Sequence, residues 1–123
     1  MMNFNDYQKR ARVTAIYPRD LDIIYPALGL AGETGEVCEK IKKLIRTMPK
    51  HNSNKMGRFR ISIMRENKEL REGLELELGD VLWYVANLAS DLNLSLEDIA
   101  TKNIDKLRDR SRRDVLQGEG DDR

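Results

Sequence analysis

Gly29-Leu-Ala-Gly-Glu33-Thr-Gly-Glu36-Val-Cys-Glu39 lies inside one long apolar pattern, and Glu77-Leu-Gly-Asp80 lies inside a second. Each stretch sets two carboxylates three residues apart, which on a helix makes them neighbours on one face. An ionised side chain among apolar residues needs a cation, a basic partner or a proton, because burying it alone is costly. Reading these two stretches as helices therefore decides both the fold and the place of the chemistry.

Working outward, the first stretch belongs to a helix expected over about 21–47. Ile23, Ile24, Ala27, Leu28, Leu30, Ala31, Val37, Cys38, Ile41, Leu44 and Ile45 form one broad apolar stripe, with Glu33, Glu36, Lys40 and Lys43 along its flank. Gly29, Gly32 and Gly35 fall within it, each costing about 1 kcal/mol relative to alanine; small residues there let a ligand or another backbone come close. Pro26 marks a kink or a late helix start, and Cys38 reads as a packing residue.

The second stretch belongs to a helix that starts between Ile61 and Leu70 and runs to about Leu92. Val81, Leu82, Trp83, Val85, Ala86, Leu88 and Ala89 make it apolar on nearly every side, the mark of a central helix whose carboxylates point inward. A helix over about 3–16 precedes both, ended by Tyr17-Pro18. Ser95-Leu-Glu-Asp98 opens a last helix, on which Asn103, Lys106 and Arg110 share a face. The expected architecture is all-α, a four-helix bundle in a single domain over 1–123, with a turn-rich basic loop at 47–60 and a C-terminal tail at 114–123. A domain this small often completes its core by homo-oligomerisation.

Composition narrows the function. Of the 123 residues, 40% are hydrophobic and 35% charged, with only three prolines, as expected for helices with well-solvated outer faces. A formal net charge of +1 argues against nucleic acid or an acidic membrane as a global partner. Nine lysines and arginines with no acid between Lys40 and Arg65 are the one marked asymmetry, read either as a solvated basic surface or as a funnel for a phosphate-bearing ligand. Phe59 is the only aromatic there, which weighs against an oligonucleotide site. No apolar run spans a bilayer, no secretory signal opens the chain, and the single cysteine forms no internal disulfide; a cytoplasmic protein is expected.

The chemistry follows from the donor set. Glu33, Glu36, Glu77 and Asp80 with no histidine nearby describe hard oxygen ligation, suited to Mg²⁺ or Mn²⁺ rather than zinc. A di-iron bundle needs Glu-x-x-His steps, and none exists here. Magnesium on carboxylates keeps positions open for water and phosphates, and Lys40, Lys43, Lys106 and Arg110 would supply further positive charge to a phosphate chain. The plain alternative is a pair of solvated or salt-bridged helix faces. Trp83 and Tyr84 read as core residues, with base stacking as the other reading.

Gly29-Leu-Ala-Gly-Glu33-Thr-Gly-Glu36-Val, Glu77-Leu-Gly-Asp80-Val-Leu-Trp-Tyr84 and Asn103-Ile-Asp-Lys106-Leu-Arg-Asp-Arg110 resemble the MazG-type all-α nucleoside triphosphate pyrophosphohydrolases. Tyr7-Gln, Thr14-Ala-Ile-Tyr17-Pro and the closing Gly118-Glu-Gly-Asp-Asp-Arg123 are similar to the short branch of that family. The resemblance implies Mg²⁺-dependent hydrolysis of a nucleoside triphosphate, ribo or deoxy and standard or not, to the monophosphate and pyrophosphate. It implies metal on Glu33, Glu36, Glu77 and Asp80, and Asn103 and Lys106 near the nucleotide, with Arg110 beside them. It also implies a homodimer or homotetramer in which a second subunit can complete the site. Glu33 or Glu36 is the expected base for the attacking water. The competing class is a non-catalytic helical module that senses nucleotide or binds a partner. Arg110-Ser-Arg-Arg113 departs from the Arg-Tyr-Pro ending of many relatives.

Overall fold

The computed structural model describes residues 1–48 and 56–113; within them the chain is all-helical. The 49–55 part of the expected loop and the 114–123 tail lie outside the described residues. Helix α1 spans Phe4–Val13, a 3₁₀ turn Arg19–Leu21, α2 Ile24–Thr47, α3 Met56–Glu66, α4 Lys68–Asp91 and α5 Leu96–Arg112. The expected fold class holds, but with five α-helices among the described residues rather than four.

The difference lies between Thr47 and Leu70. Met56, Phe59 and Ile63 recur at helical spacing, so residues 56–60 join α3 instead of the loop. Asn67 then divides α3 from α4, its side-chain oxygen accepting a cap bond of 2.7 Å from the Leu70 N–H. Asn3 caps α1 in the same way through Asp6 N–H at 2.8 Å, and Ser95 caps α5 through Asp98 N–H at 3.1 Å. Helix α1 ends at Val13, earlier than the expected Ile16, where Thr14 bonds back to the Ala11 carbonyl.

Helix α4 is central as expected, packing against α1, α2 and α3. Gly29 faces Tyr84, Glu33 gathers with Glu77 and Asp80, and Lys40 lies on Gly73, so α2 and α4 run antiparallel. A Cβ at Gly29 would fall 2.1 Å from the Tyr84 ring, which is why the backbone there carries no side chain. Gly32 and Gly35 instead open onto free space. Pro26 sits buried in the first turn of α2, where its missing N–H costs nothing.

Ala11, Ala86 and Leu96 form a buried apolar cluster, with Tyr7, Trp83 and Val85 packed against it. Gln8 on α1 fixes the α4–α5 corner, donating to the Leu94 carbonyl at 2.8 Å and accepting from the Leu96 N–H at 2.8 Å. Much of the predicted apolar stripe stays exposed, Ile23, Ile24, Leu28 and Ile45 at and along α2, as do Ile99, Ile104 and Leu107 on α5. Cys38 is exposed as well, correcting its expected packing role; the stripe is broader than the face α4 covers.

Candidate active site

The i, i+3 spacing does what helical geometry requires. Glu77 and Asp80 on α4 meet Glu33 on α2, and one carboxylate oxygen from each lies within 4.8 Å of the others. Glu33 and Glu77 are half-buried and Asp80 is exposed, so the expected inward set is instead open on one side. Glu36, one turn along α2, is exposed and outside the converging three.

Burial, then the charges of Asp80, Glu77 and Glu36 and a hydrogen bond with Glu77, push the Glu33 carboxyl above its ordinary range. Negative charge is therefore concentrated here beyond what the protein neutralises. Among the described residues the cation paired with the trio is Lys40, whose Nζ lies 3.0 Å from Glu77 Oε1. Oxygens this close fit a divalent ion with ligand distances of about 2.0–2.1 Å and open positions, and an all-oxygen set favours Mg²⁺ or Mn²⁺.

Lys40 and Lys43 also border an open-sided cavity of about 340 Å³ between the C-terminal half of α2 and the start of α4, together with Asn67, Glu69 and Gly73. The other end of the trio meets an aromatic wall. Tyr84, against Gly29, lies 6.5 Å from Tyr25, which stacks on Tyr17 at 4.9 Å. Burial, then the charges of Tyr25 and Glu33, raise the Tyr84 hydroxyl pKa. Trp83 is half-buried and donates to Thr14 Oγ1 at 2.7 Å, in keeping with a packing role.

The α5 residues are placed differently. Helix α5 packs against α1; Asn103 and Lys106 are exposed on it, while Arg110 is buried at 3% exposure. The shared face expected for the three is thus divided between solvent and interior.

Sequence reading missed the polar cluster behind the aromatic wall. The Asp91 carboxylate is fully buried, accepting from Arg12 at 2.6 Å, from the Tyr17 hydroxyl at 2.9 Å and from the Ile23 N–H at 2.8 Å. Burial alone would raise its pKa, but the bonds from Ile23, Tyr17 and Arg12 outweigh burial and hold it below the usual range. Ile23 has φ 70 and ψ −51, and the Ile24 N–H reaches the Asp22 carbonyl at 2.8 Å: a strained γ-turn centred on a β-branched residue. One signal was available, since an acid in the last turn of an apolar helix opposes the helix dipole.

A family model, the MazG nucleotide pyrophosphohydrolase domain, matches residues 26–114, which include the trio, the aromatic Tyr84 and all of α5. The chain belongs to the MazG nucleotide pyrophosphohydrolase family. It is also 42% identical over 128 residues to the "Gene 37 protein" of Mycobacterium phage L5, covering 99% of this chain and 100% of that relative. No solved structure matches it significantly. The MazG match leaves residues 1–25 outside, so Arg12, Tyr17 and Ile23 contribute to the Asp91 cluster from beyond the matched region. Among the described residues no helix is long and apolar enough to cross a membrane.

Proposed function

We propose that this protein hydrolyses a nucleoside triphosphate, NTP or dNTP, to the monophosphate and pyrophosphate, using Mg²⁺ with Mn²⁺ as an alternative. The observation that carries the reading is the convergence of Glu33, Glu77 and Asp80 within 4.8 Å beside a lysine-bordered cavity. Glu33, Glu77 and Asp80 would hold the ion, with Glu36 as a fourth ligand only where Glu33 serves as the base instead. The ion would neutralise the phosphate chain and acidify water. Glu36, which is not among the three converging carboxylates, would take the proton of the attacking water, with Glu33 as the other candidate. Lys40 and Lys43 would bind the outer phosphates.

Asn103 and Lys106, exposed on α5, reach the phosphates in this proposal from a second copy, as a homodimer or homotetramer; Arg110, buried in its own subunit, would have to turn outward to join them. The exposed Ile99, Ile104 and Leu107 on that helix support a partner. The proposed setting is the cytoplasm, where free nucleotides are found.

The test is pyrophosphate release from a panel of nucleotides with Mg²⁺. Glu36→Gln and Asp80→Asn should each abolish turnover while leaving the helical circular dichroism intact; undiminished turnover in both would refute the mechanism. Tight Mg²⁺-nucleotide binding without product would favour a sensing module. Light scattering on the eluting protein reads the oligomer.

A further inference from the structure

Lys40 stands at the boundary between the acidic trio and the cavity. Its ammonium contacts Glu77 at 3.0 Å, and its side chain also lines the cavity with Lys43. The stem lies along Gly73: a Cβ there would be 3.3 Å from Lys40 Cδ, 3.5 Å from Cε and 3.6 Å from Nζ. The glycine thus leaves a shallow track over which the stem passes from one side to the other. At 36% exposure, the Lys40 side chain keeps one flank open to solvent.

We propose that Lys40 is a displaceable counter-ion that couples the carboxylate trio to the cavity. Its ammonium and a divalent cation compete for Glu77; once the cation takes that carboxylate, Lys40 crosses Gly73 and joins Lys43 in binding a phosphate group. The direction follows from charge. A divalent ion outcompetes a single ammonium for a carboxylate and repels that ammonium at short range. On the cavity side Lys40 and Lys43, three residues apart on α2, form a dicationic pair suited to an anion, and Glu69 offers the displaced ammonium a resting partner. Cation and phosphate should consequently assist each other's binding beyond their direct contact.

The inference rests on the metal reading given above, and the experiment separates the two. Titration calorimetry with MnCl₂ alone measures cation affinity without turnover, and inorganic pyrophosphate at saturating Mg²⁺ then measures the anion side. Lys40→Met, with Lys40→Gln as a second version, should bind Mn²⁺ up to about fivefold tighter, the limit set by a partly exposed ion pair. The same variants should bind pyrophosphate roughly tenfold more weakly. Lys42→Met serves as the charge control, since Lys42 pairs with Glu39 outside the site, and should stay close to wild type in both titrations. Opposite signs for the two ligands support the coupling. Unchanged or weaker Mn²⁺ binding in the Lys40 variants, or the same gain in Lys42→Met, overturns it while the metal site stands. Absence of Mn²⁺ binding to the wild type removes the metal reading and this coupling with it.

Discussion

Replacing Asp91 by asparagine exchanges one carboxylate oxygen for an NH₂ group and tests how α2 is held at its start. The carboxylate is fully buried and serves Arg12, Tyr17 and the Ile23 N–H. An amide has one acceptor oxygen. With that oxygen toward Arg12, the new NH₂ confronts the Ile23 N–H, donor against donor, and an unsatisfied buried amide costs about 1–3 kcal/mol. Arg12 is 31% exposed, so loss of its charge partner is screened and adds no more than about 1 kcal/mol. The γ-turn at Ile23 carries strain of order 1–3 kcal/mol, and without its tether it is free to relax. Relaxation offsets part of the loss but shifts Tyr25 away from Tyr84. The net expectation is a destabilisation of about 2–3 kcal/mol, or a Tm roughly 10 °C lower. Thermal unfolding by circular dichroism at pH 7, with native-state exchange of the Ile23 amide, measures it. A Tm within a degree of wild type, with Ile23 still protected, would show that Asp91 does not hold the turn.

Gly29→Ala forces the Tyr84 ring aside from a 2.1 Å clash. Overpacking of about 1–3 kcal/mol outweighs the helix-propensity gain of about 1 kcal/mol, so denaturant unfolding should show a net loss. Glu33→Gln removes the repulsion from Asp80, Glu77 and Glu36 and should raise the Tm of the metal-free protein while eliminating pyrophosphate release; a lower Tm would mean the trio is not frustrated. The pH dependence of metal-free stability has two limbs. Glu33, with its folded pKa raised, favours the folded state below its unfolded pKa, and that contribution is lost as pH rises through the folded pKa. Asp91, with its folded pKa lowered, contributes stability above its unfolded pKa and loses it as pH falls through the folded one. Melts from pH 3 to 8 in EDTA should therefore fall off at the acid end through Asp91, and Glu33→Gln should flatten the decline on the upper side of the Glu33 titration.

What could be read from the chain in advance was whatever acts over one or two helical turns. The i, i+3 carboxylates, the Ser95 cap and the centrality of α4 all depend on local spacing. Features that join distant segments stayed hidden. Asp91 meets partners 68 to 79 residues away, and nothing local about Ile23 announces a positive φ, since β-branched residues disfavour it. Helix α3 was masked by the basic, turn-forming residues just before it. Cys38, Ile24, Leu28 and Ile45 were assigned to a stripe wider than one neighbouring helix covers.

The contact between Gly29 and Tyr84 has a consequence for how such chains diverge. A backbone with no side chain and an aromatic ring fill one space between them, beside the carboxylate that leads the trio. Neither position is free to drift alone: a larger residue at 29 demands a smaller one at 84, and a lost ring at 84 leaves a hole that a methyl at 29 could fill. Across descendants of this sequence the two positions should change together or not at all, so that a glycine paired with a tyrosine fifty-five places later is inherited as a single character.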